Sequence, residues 1–281
     1  MAVLSISHLN KTYPAFRLND VSFQVEKGEI MGFIGRNGAG KTTTLKSVLN
    51  FVHPDSGEIR FFGLPFPEKE FEIKSRIGFV SGGVDFYIHK KLSAITDVTR
   101  RFYPTWDDAA YKRYASLFGL DEKKTPDELS AGMKVKYNLA LALSHRAELL
   151  LLDEPTSGLD PVSRDDLLDV FLELAREGVS ILFSTHITSD LEKCADRITY
   201  IKNGSILASE GLETFVDKYR AINLTEEQLT QRVKAALIGC KPAKHGYSAI
   251  LTAEDAERLA LPTEKADLET VMVHMEKEER A

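Results

Sequence analysis

From Gly35 to Thr43 the chain reads GRNGAGKTT, and from Leu149 to Pro155 it reads LLLLDEP. The first string fits G-x-x-x-x-G-K-[ST], a loop whose backbone N–H groups cradle phosphates. In such a loop Lys41 is the cation for the β- and γ-phosphates, and the Thr42 hydroxyl is a ligand for Mg2+. Gly35, Gly38 and Gly40 permit backbone angles closed to other residues and let a ligand come close. Asn37, Ala39 and Thr43 complete the set expected to hold a nucleotide. The second string delivers two acids. Asp153 is placed to hold Mg2+ through water, and Glu154 to orient or deprotonate an attacking water. Together the two strings are the halves of a nucleotide-hydrolysis site.

The surrounding pattern supplies elements to position them. EIMGFI, ahead of the loop, is short and apolar, as a strand buried in a parallel sheet should be. A helix is expected over roughly Lys41 to Asn50, its positive end facing the β-phosphate. Leu149 to Leu152 reads as a strand covered on both faces, and VSILFSTH as another, ending in FSTH (Phe183 to His186). Ser130 stands where an N-cap belongs, before the helical run that begins near Ala131. VLSI, VSFQV and GEIRFFG alternate like antiparallel strands. From about 86 to 146 the pattern turns helical. There Thr105 is read as an N-cap, with Asp107 and Asp108 in the first turn. Tyr111, Tyr114, Ala115 and Phe118 repeat at helical spacing, and with Trp106 they read as core. Asp165 to Arg176 reads as a helix closed by Gly178. Ile198 to Ser209 reads as a hairpin turning at Asn203-Gly204. Past Glu210 the chain offers helix-like pieces around one short strand candidate, YSAIL.

Composition bounds the rest. The 281 residues, with 43% hydrophobic and 28% charged, suit an ordinary globular protein. A net charge of −6 argues against nonspecific binding to nucleic acid, so no nucleic-acid partner is expected. Cys194 and Cys240 lack metal-ligand spacing and read as reduced thiols, and the seven histidines are scattered. No apolar run approaches the ~18 residues of a membrane span, and MAVLSISHLN lacks the regions of a signal peptide. A cytoplasmic protein is therefore expected, with any membrane pore on another chain.

In order and spacing, GRNGAGKTT, LSAGM (Leu129 to Met133), LLLLDEP, SGLD (Ser157 to Asp160) and FSTH resemble the ATP-binding subunit of an ABC transporter, over roughly residues 1 to 212. That resemblance implies an α/β fold: a P-loop RecA-like core, an antiparallel β-subdomain, and a helical subdomain at about 86–146. Residues 213–281 would form a small accessory region for dimer contact or regulation. It implies ATP and Mg2+ as ligands, and a head-to-tail pair of cassettes, most simply two identical chains, sandwiching two ATP molecules. Tyr13, in NKTYP, matches the aromatic that stacks on adenine. Ser130 and Gly132 match residues that touch the γ-phosphate bound by the partner cassette, and Asp160 one that reaches across the dimer. His186 would touch the γ-phosphate and hold the water and Glu154 in register.

The chain departs from the family pattern twice. Ala131 replaces the first Gly of the L-S-G-G-Q signature, and Met133 and Lys134 follow Gly132. The family's Gln after the I-G-[FY]-V strand is missing from RIGFVSGGVDFY, where Ser81 and Asp85 are both candidates to stand in. Phe86, Tyr87 and Ile88 are candidates for contact with a transmembrane permease chain at the cytoplasmic face of the membrane. KTYP, FYPTWD, LSAGMK and LETVMVHM look similar to a bacterial group of two-part exporters of antimicrobial or toxin-like peptides, so the cargo implied is peptide. The rival reading is an ABC ATPase that acts on ribosomes or nucleic acid without transport. One P-loop, no sustained heptads and the acidic balance weigh against it.

Overall fold

The computed structural model describes residues 1–66, 68–81 and 87–278. Contacts divide the chain into two units, Met1–Ser209 and Glu210–Ala281.

The larger unit opens with long alternating strands, β1 (Ala2–Tyr13) and β2 (Phe16–Glu26), followed by β3 (Ile30–Ile34). Helix α1 (Lys41–Val48), strands β4 (Ser56–Phe61) and β5 (Leu64–Phe66), helix α2 (Glu70–Lys74) and strand β6 (Ile77–Ser81) come next. A helical stretch holds α3 (Leu92–Thr99), α4 (Asp108–Leu117) and α5 (Ala131–Ser144). Then β7 (Leu149–Asp153), α6 (Pro161–Arg176), β8 (Ser180–Thr185), α7 (Thr188–Cys194), β9 (Arg197–Lys202) and β10 (Ser205–Gly211) complete the series.

Two sheets follow from the patterning. The alternating strands form an antiparallel sheet in the order β2-β1-β4-β5. The apolar runs form a second sheet in the order β10-β9-β3-β8-β7-β6, in which the β9-β3, β3-β8, β8-β7 and β7-β6 pairs are parallel. β3 is buried along its whole length, as are the four leucines of β7, because a parallel sheet is covered on both faces. Phe23 of the antiparallel sheet meets Phe33 of β3 with ring centroids 5.3 Å apart, so one core joins both sheets. Asn203 and Gly204 both take left-handed angles at the turn from β9 to β10.

In the helical stretch the aromatic stripe Tyr111, Tyr114, Ala115 and Phe118 is buried. The Thr96 hydroxyl lies 3.0 Å from both Tyr111 and Tyr137, tying α3, α4 and α5 together. Two helix starts differ from the sequence reading. The cap of α4 is Asp107, whose carboxylate accepts from the N–H groups of Ala109 and Ala110; the Thr105 hydroxyl is spent on the carbonyl of His145. Helix α6 starts at Pro161 rather than near Asp165. Proline is tolerated at a first helical position, where its missing N–H is not needed.

The smaller unit holds α8 (Leu212–Asp217), β11 (Tyr219–Leu224), α9 (Gln231–Lys234), β12 (Ile238–Ala243), β13 (Gly246–Thr252), α10 (Ala253–Leu259), β14 (Glu264–Lys265) and α11 (Leu268–Met275). Its sheet, in the order β12-β13-β11-β14, corrects the expectation of one strand among helices. The run QRVKAALIG stops being helical after a single turn. Gly239 takes φ +60°, and the residues around it pair with β13 instead.

Candidate active site

Adjacent parallel strands build the site. β3, β8 and β7 lie side by side and in register, with Ile34 opposite Thr185 and Ser184 opposite Asp153. The loop after β3, His186 after β8, and Asp153-Glu154 at the end of β7 therefore emerge together from the carboxyl edge of the sheet, where open α/β sheets bind ligands.

The glycine loop wraps Lys41. Its Nζ donates to the Gly35 carbonyl over 2.7 Å and more weakly to that of Arg36 over 3.4 Å, in a nearly buried position. Gly40 has φ +116°, and a Cβ there would stand 2.7 Å from Leu18 and 2.9 Å from Phe16, so only glycine fits. Gly35 needs glycine for another reason than the expected backbone angle. Its φ is not positive; a Cβ would collide with the Ile201 carbonyl oxygen. Helix α1 begins at Lys41 with no side-chain cap, so no capping side chain competes for its first N–H groups, which could donate to a phosphate.

The acids are held by hydroxyls. The Thr42 Oγ1 donates to Asp153 Oδ1 over 3.2 Å, and Ser184 Oγ donates to the same oxygen over 2.6 Å. A hydroxyl beside a carboxylate oxygen is the hard-oxygen donor set that a dication such as Mg2+ takes. Glu154 has φ +50°, rare for a side chain of this size, and its N–H is shared between the Ser184 carbonyl and hydroxyl, at 3.1 and 3.0 Å. Its Oε2 accepts from His186 Nδ1 over 2.9 Å, and its Oε1 lies 3.3 Å from Lys41 Nζ. A carboxylate between a lysine and an imidazole can accept a proton from water and pass the lysine to an incoming phosphate.

A cavity of about 690 Å3 opens over this cluster. Of the residues expected from the sequence, Tyr13, Asn37, Gly38, Gly40, Lys41, Thr42, Thr43, Glu154 and His186 line it. Gly35, Ala39 and Asp153 do not line it: Gly35 and Asp153 act on it through the bonds above, and Ala39 is buried. Phe16 and Ser157 line it unforeseen. Phe16 carried no local signal, since its place comes from the turn between β1 and β2. Ser184 was also missed, although it lies inside the FSTH string.

Ser130, Gly132 and Asp160 are not in that cavity. They gather elsewhere on the same unit. Ser130 caps α5 by accepting from Met133 N–H, and Asp160 caps α6 by accepting from the N–H groups of Val162 and Ser163. Bonds from Ser163, then from Val162, hold the Asp160 carboxyl below its ordinary range. A Cβ on Gly132 would stand 3.4 Å from Leu159, the residue before Asp160, so the two capped loops adjoin. Ser81 is the register partner of Asp153 one strand over, at the same sheet edge. Asp85 and Phe86 lie outside the described residues, and Tyr87 and Ile88 are exposed. Both cysteines are free, with burial pushing the Cys194 thiol up to about 12. Among the described residues no His, Cys, Asp and Glu group could hold a metal by itself, and no helix is long and apolar enough to cross a membrane.

Residues 18–157 match the family model described as ABC transporter. The chain is 35% identical over 208 residues to the ABC transporter ATP-binding protein YtrB of Bacillus subtilis (strain 168), covering 74% of this chain and 71% of that protein. It is 33% identical over 240 residues to the bacitracin transport ATP-binding protein BcrA of Bacillus licheniformis, covering 84% and 78%. A solved structure of an ATP binding subunit of an ABC transporter superposes with a TM-score of 0.68 at 29% identity, covering 75% of this chain and 91% of that one.

Proposed function

The chain belongs to the ABC transporter family as an ATP-binding, ATP-hydrolysing subunit, and on that premise we propose that it powers a separate transmembrane chain that exports peptides. The observation that carries the proposal is the convergence of Lys41, Glu154 and His186 at one sheet edge, over a cavity of about 690 Å3 that also bears Tyr13.

The adenine stacks on Tyr13, and the polyphosphate lies along the glycine loop from Gly35 to Gly40, with Lys41 as the cation for its β- and γ-phosphates. Thr42 and Asp153 are the residues that would hold Mg2+, which when bound would offset charge developing on the phosphate oxygens. Glu154 accepts a proton from the water that attacks the γ-phosphorus, as the bond from that phosphorus to the ADP oxygen breaks. His186 keeps the Glu154 carboxylate aimed.

The second cluster has no role within one subunit's cavity, and that supports a partner cassette. Ser130 and Gly132 approach the γ-phosphate of a second copy from the N-terminus of α5, and Asp160 faces its site. ATP then has more contacts in the closed pair than in the open one, which is what lets binding and hydrolysis shift the equilibrium between them. The exposed Tyr87 and Ile88 face the membrane chain at the cytoplasmic side. Residues 213–281 serve as an accessory region. Peptide as the cargo is supported by the relative named for bacitracin transport.

The test is to purify the tagged protein from gently solubilised membranes of its own cells, assay ATP hydrolysis, and identify what accompanies it. A stoichiometric polytopic membrane protein, and ATP-dependent peptide movement in vesicles bearing both chains, are expected. Ribosomal or DNA-bound partners without a membrane chain would overturn the transport reading.

A further inference from the structure

A turn and two helices, which follow Glu154, His186 and Asp160 in the chain, meet at one buried carboxylate. Asp190 is 1% exposed, and its Oδ2 accepts from the Thr156 hydroxyl over 2.6 Å, with Thr156 itself fully buried. Its other oxygen lies 3.9 Å from Arg164 Nη1. Thr156 follows Glu154 by two residues, Asp190 follows His186 by four, and Arg164 follows Asp160 by four. We infer that Asp190 is a positioning residue that holds Glu154, His186 and Asp160 in register for hydrolysis, an inference that rests on the roles proposed above for those three.

Glu154 sits between a strand and a turn, in a left-handed conformation that local sequence does not favour. Its N–H is anchored on Ser184, but its far side depends on the turn that follows, where Ser157 N–H bonds to the Glu154 carbonyl. The Thr156–Asp190 bond pins that turn to the first turn of α7. On the other side, the half-exposed His186 is joined to α7 through the single residue between them, Ile187. Together with the Glu154–His186 bond this closes a ring: Glu154 to Thr156, across to Asp190, back along the chain to His186, and across to Glu154. A closed ring fixes the carboxylate and imidazole relative to each other, which neither bond does alone. Arg164 extends the same point to the first turn of α6, which Asp160 caps.

Burial of this carboxylate is costly. Desolvation raises its pKa, against the bond from Thr156 and the charge of Arg164. An apolar residue would pack there without that cost but would not close the ring.

The experiment compares wild type, Thr156→Val, Thr156→Ser, Asp190→Asn and the Thr156→Val/Asp190→Asn double variant. Its readouts are equilibrium ATP binding, kcat and KM for hydrolysis, and thermal midpoint. Thr156→Val is expected to keep ATP affinity within about twofold while kcat falls roughly 10- to 100-fold, the scale of a small misplacement of reacting groups. Thr156→Ser keeps the hydroxyl and should recover most of the rate. The double variant should be no slower than the worse single one, since both changes open the same ring. A Thr156→Val protein that turns over at the wild-type rate overturns the inference. So does an equal loss of affinity and rate that serine does not rescue. Wild type that hydrolyses no ATP would instead sink the proposed function itself. If Asp190→Asn does not fold, the Val and Ser variants at Thr156 still decide the question.

Discussion

Glu154 stands between two nitrogen donors: its Oε2 accepts from His186 Nδ1 over 2.9 Å, while its Oε1 lies 3.3 Å from Lys41 Nζ. The same carboxylate therefore occupies the two groups that a γ-phosphate would need. Its negative charge helps the chemistry once phosphate is bound, yet competes with phosphate for Lys41.

Glu154→Gln separates these two effects. The neutral amide cannot take the proton from water, so turnover should fall roughly 10^2- to 10^4-fold. It also competes less for Lys41, so ATP should bind at least as tightly as to wild type. Equilibrium binding alongside single-turnover hydrolysis checks both, and near-normal hydrolysis would remove Glu154 as the base.

Lys41→Ala should weaken ATP binding roughly 10- to 100-fold, because a charge-assisted bond to phosphate is worth about 1.5–3 kcal/mol. The Glu154 carboxylate would keep its contact with His186. Titration with a fluorescent ATP analogue measures it; an unchanged dissociation constant would sink the assignment.

Metal dependence should report on Ser184. Chelation with EDTA is expected to stop hydrolysis, and added Mg2+ to restore it. Ser184 Oγ donates to the Asp153 oxygen that also receives Thr42, so Ser184→Ala should raise the Mg2+ needed for half-maximal rate roughly 10-fold, as loss of an outer-shell partner does. A Mg2+ titration identical to wild type would exclude Asp153 as a ligand oriented by Ser184.

Acid stability should report on His145. Its ring is 3% exposed and stacks on Tyr103 with centroids 3.9 Å apart, and its Nδ1 has no partner among the described residues. Desolvation pushes its pKa down from 6.5 to about 4. The unfolded chain therefore binds a proton between those values that the native one refuses. Stability is full above pH 6.5 and falls as pH drops toward 4, by a contribution on the order of 3 kcal/mol. His145→Phe keeps the stacking and should flatten that part of the profile. Urea denaturation from pH 7 to 4 compares the two; parallel curves would refute it.

The chemistry of this chain was legible because its signals are local. A glycine loop, Lys41 and Thr42 at a helix start, and two acids at the end of an apolar strand each need only a few consecutive residues. The turn at Asn203-Gly204 was readable for the same reason. Local signals failed where a distant group competed. The Thr105 hydroxyl went to His145, and QRVKAALIG gave up its helix to pair with β13.

The sequence alone determined that a glycine loop, two acids and a strand-ending histidine exist, because those depend on residue type and short spacing. Only the tertiary structure decided that they converge. The order β3-β8-β7 brings Lys41 together with Glu154 and His186, both more than a hundred residues further along the chain. Parallel strands carry no local mark of which neighbour each will take, so their order is set by packing. The Thr156–Asp190 bond, the service of Ser184 to both acids, and the sheet of the smaller unit belong to the same class of non-local facts.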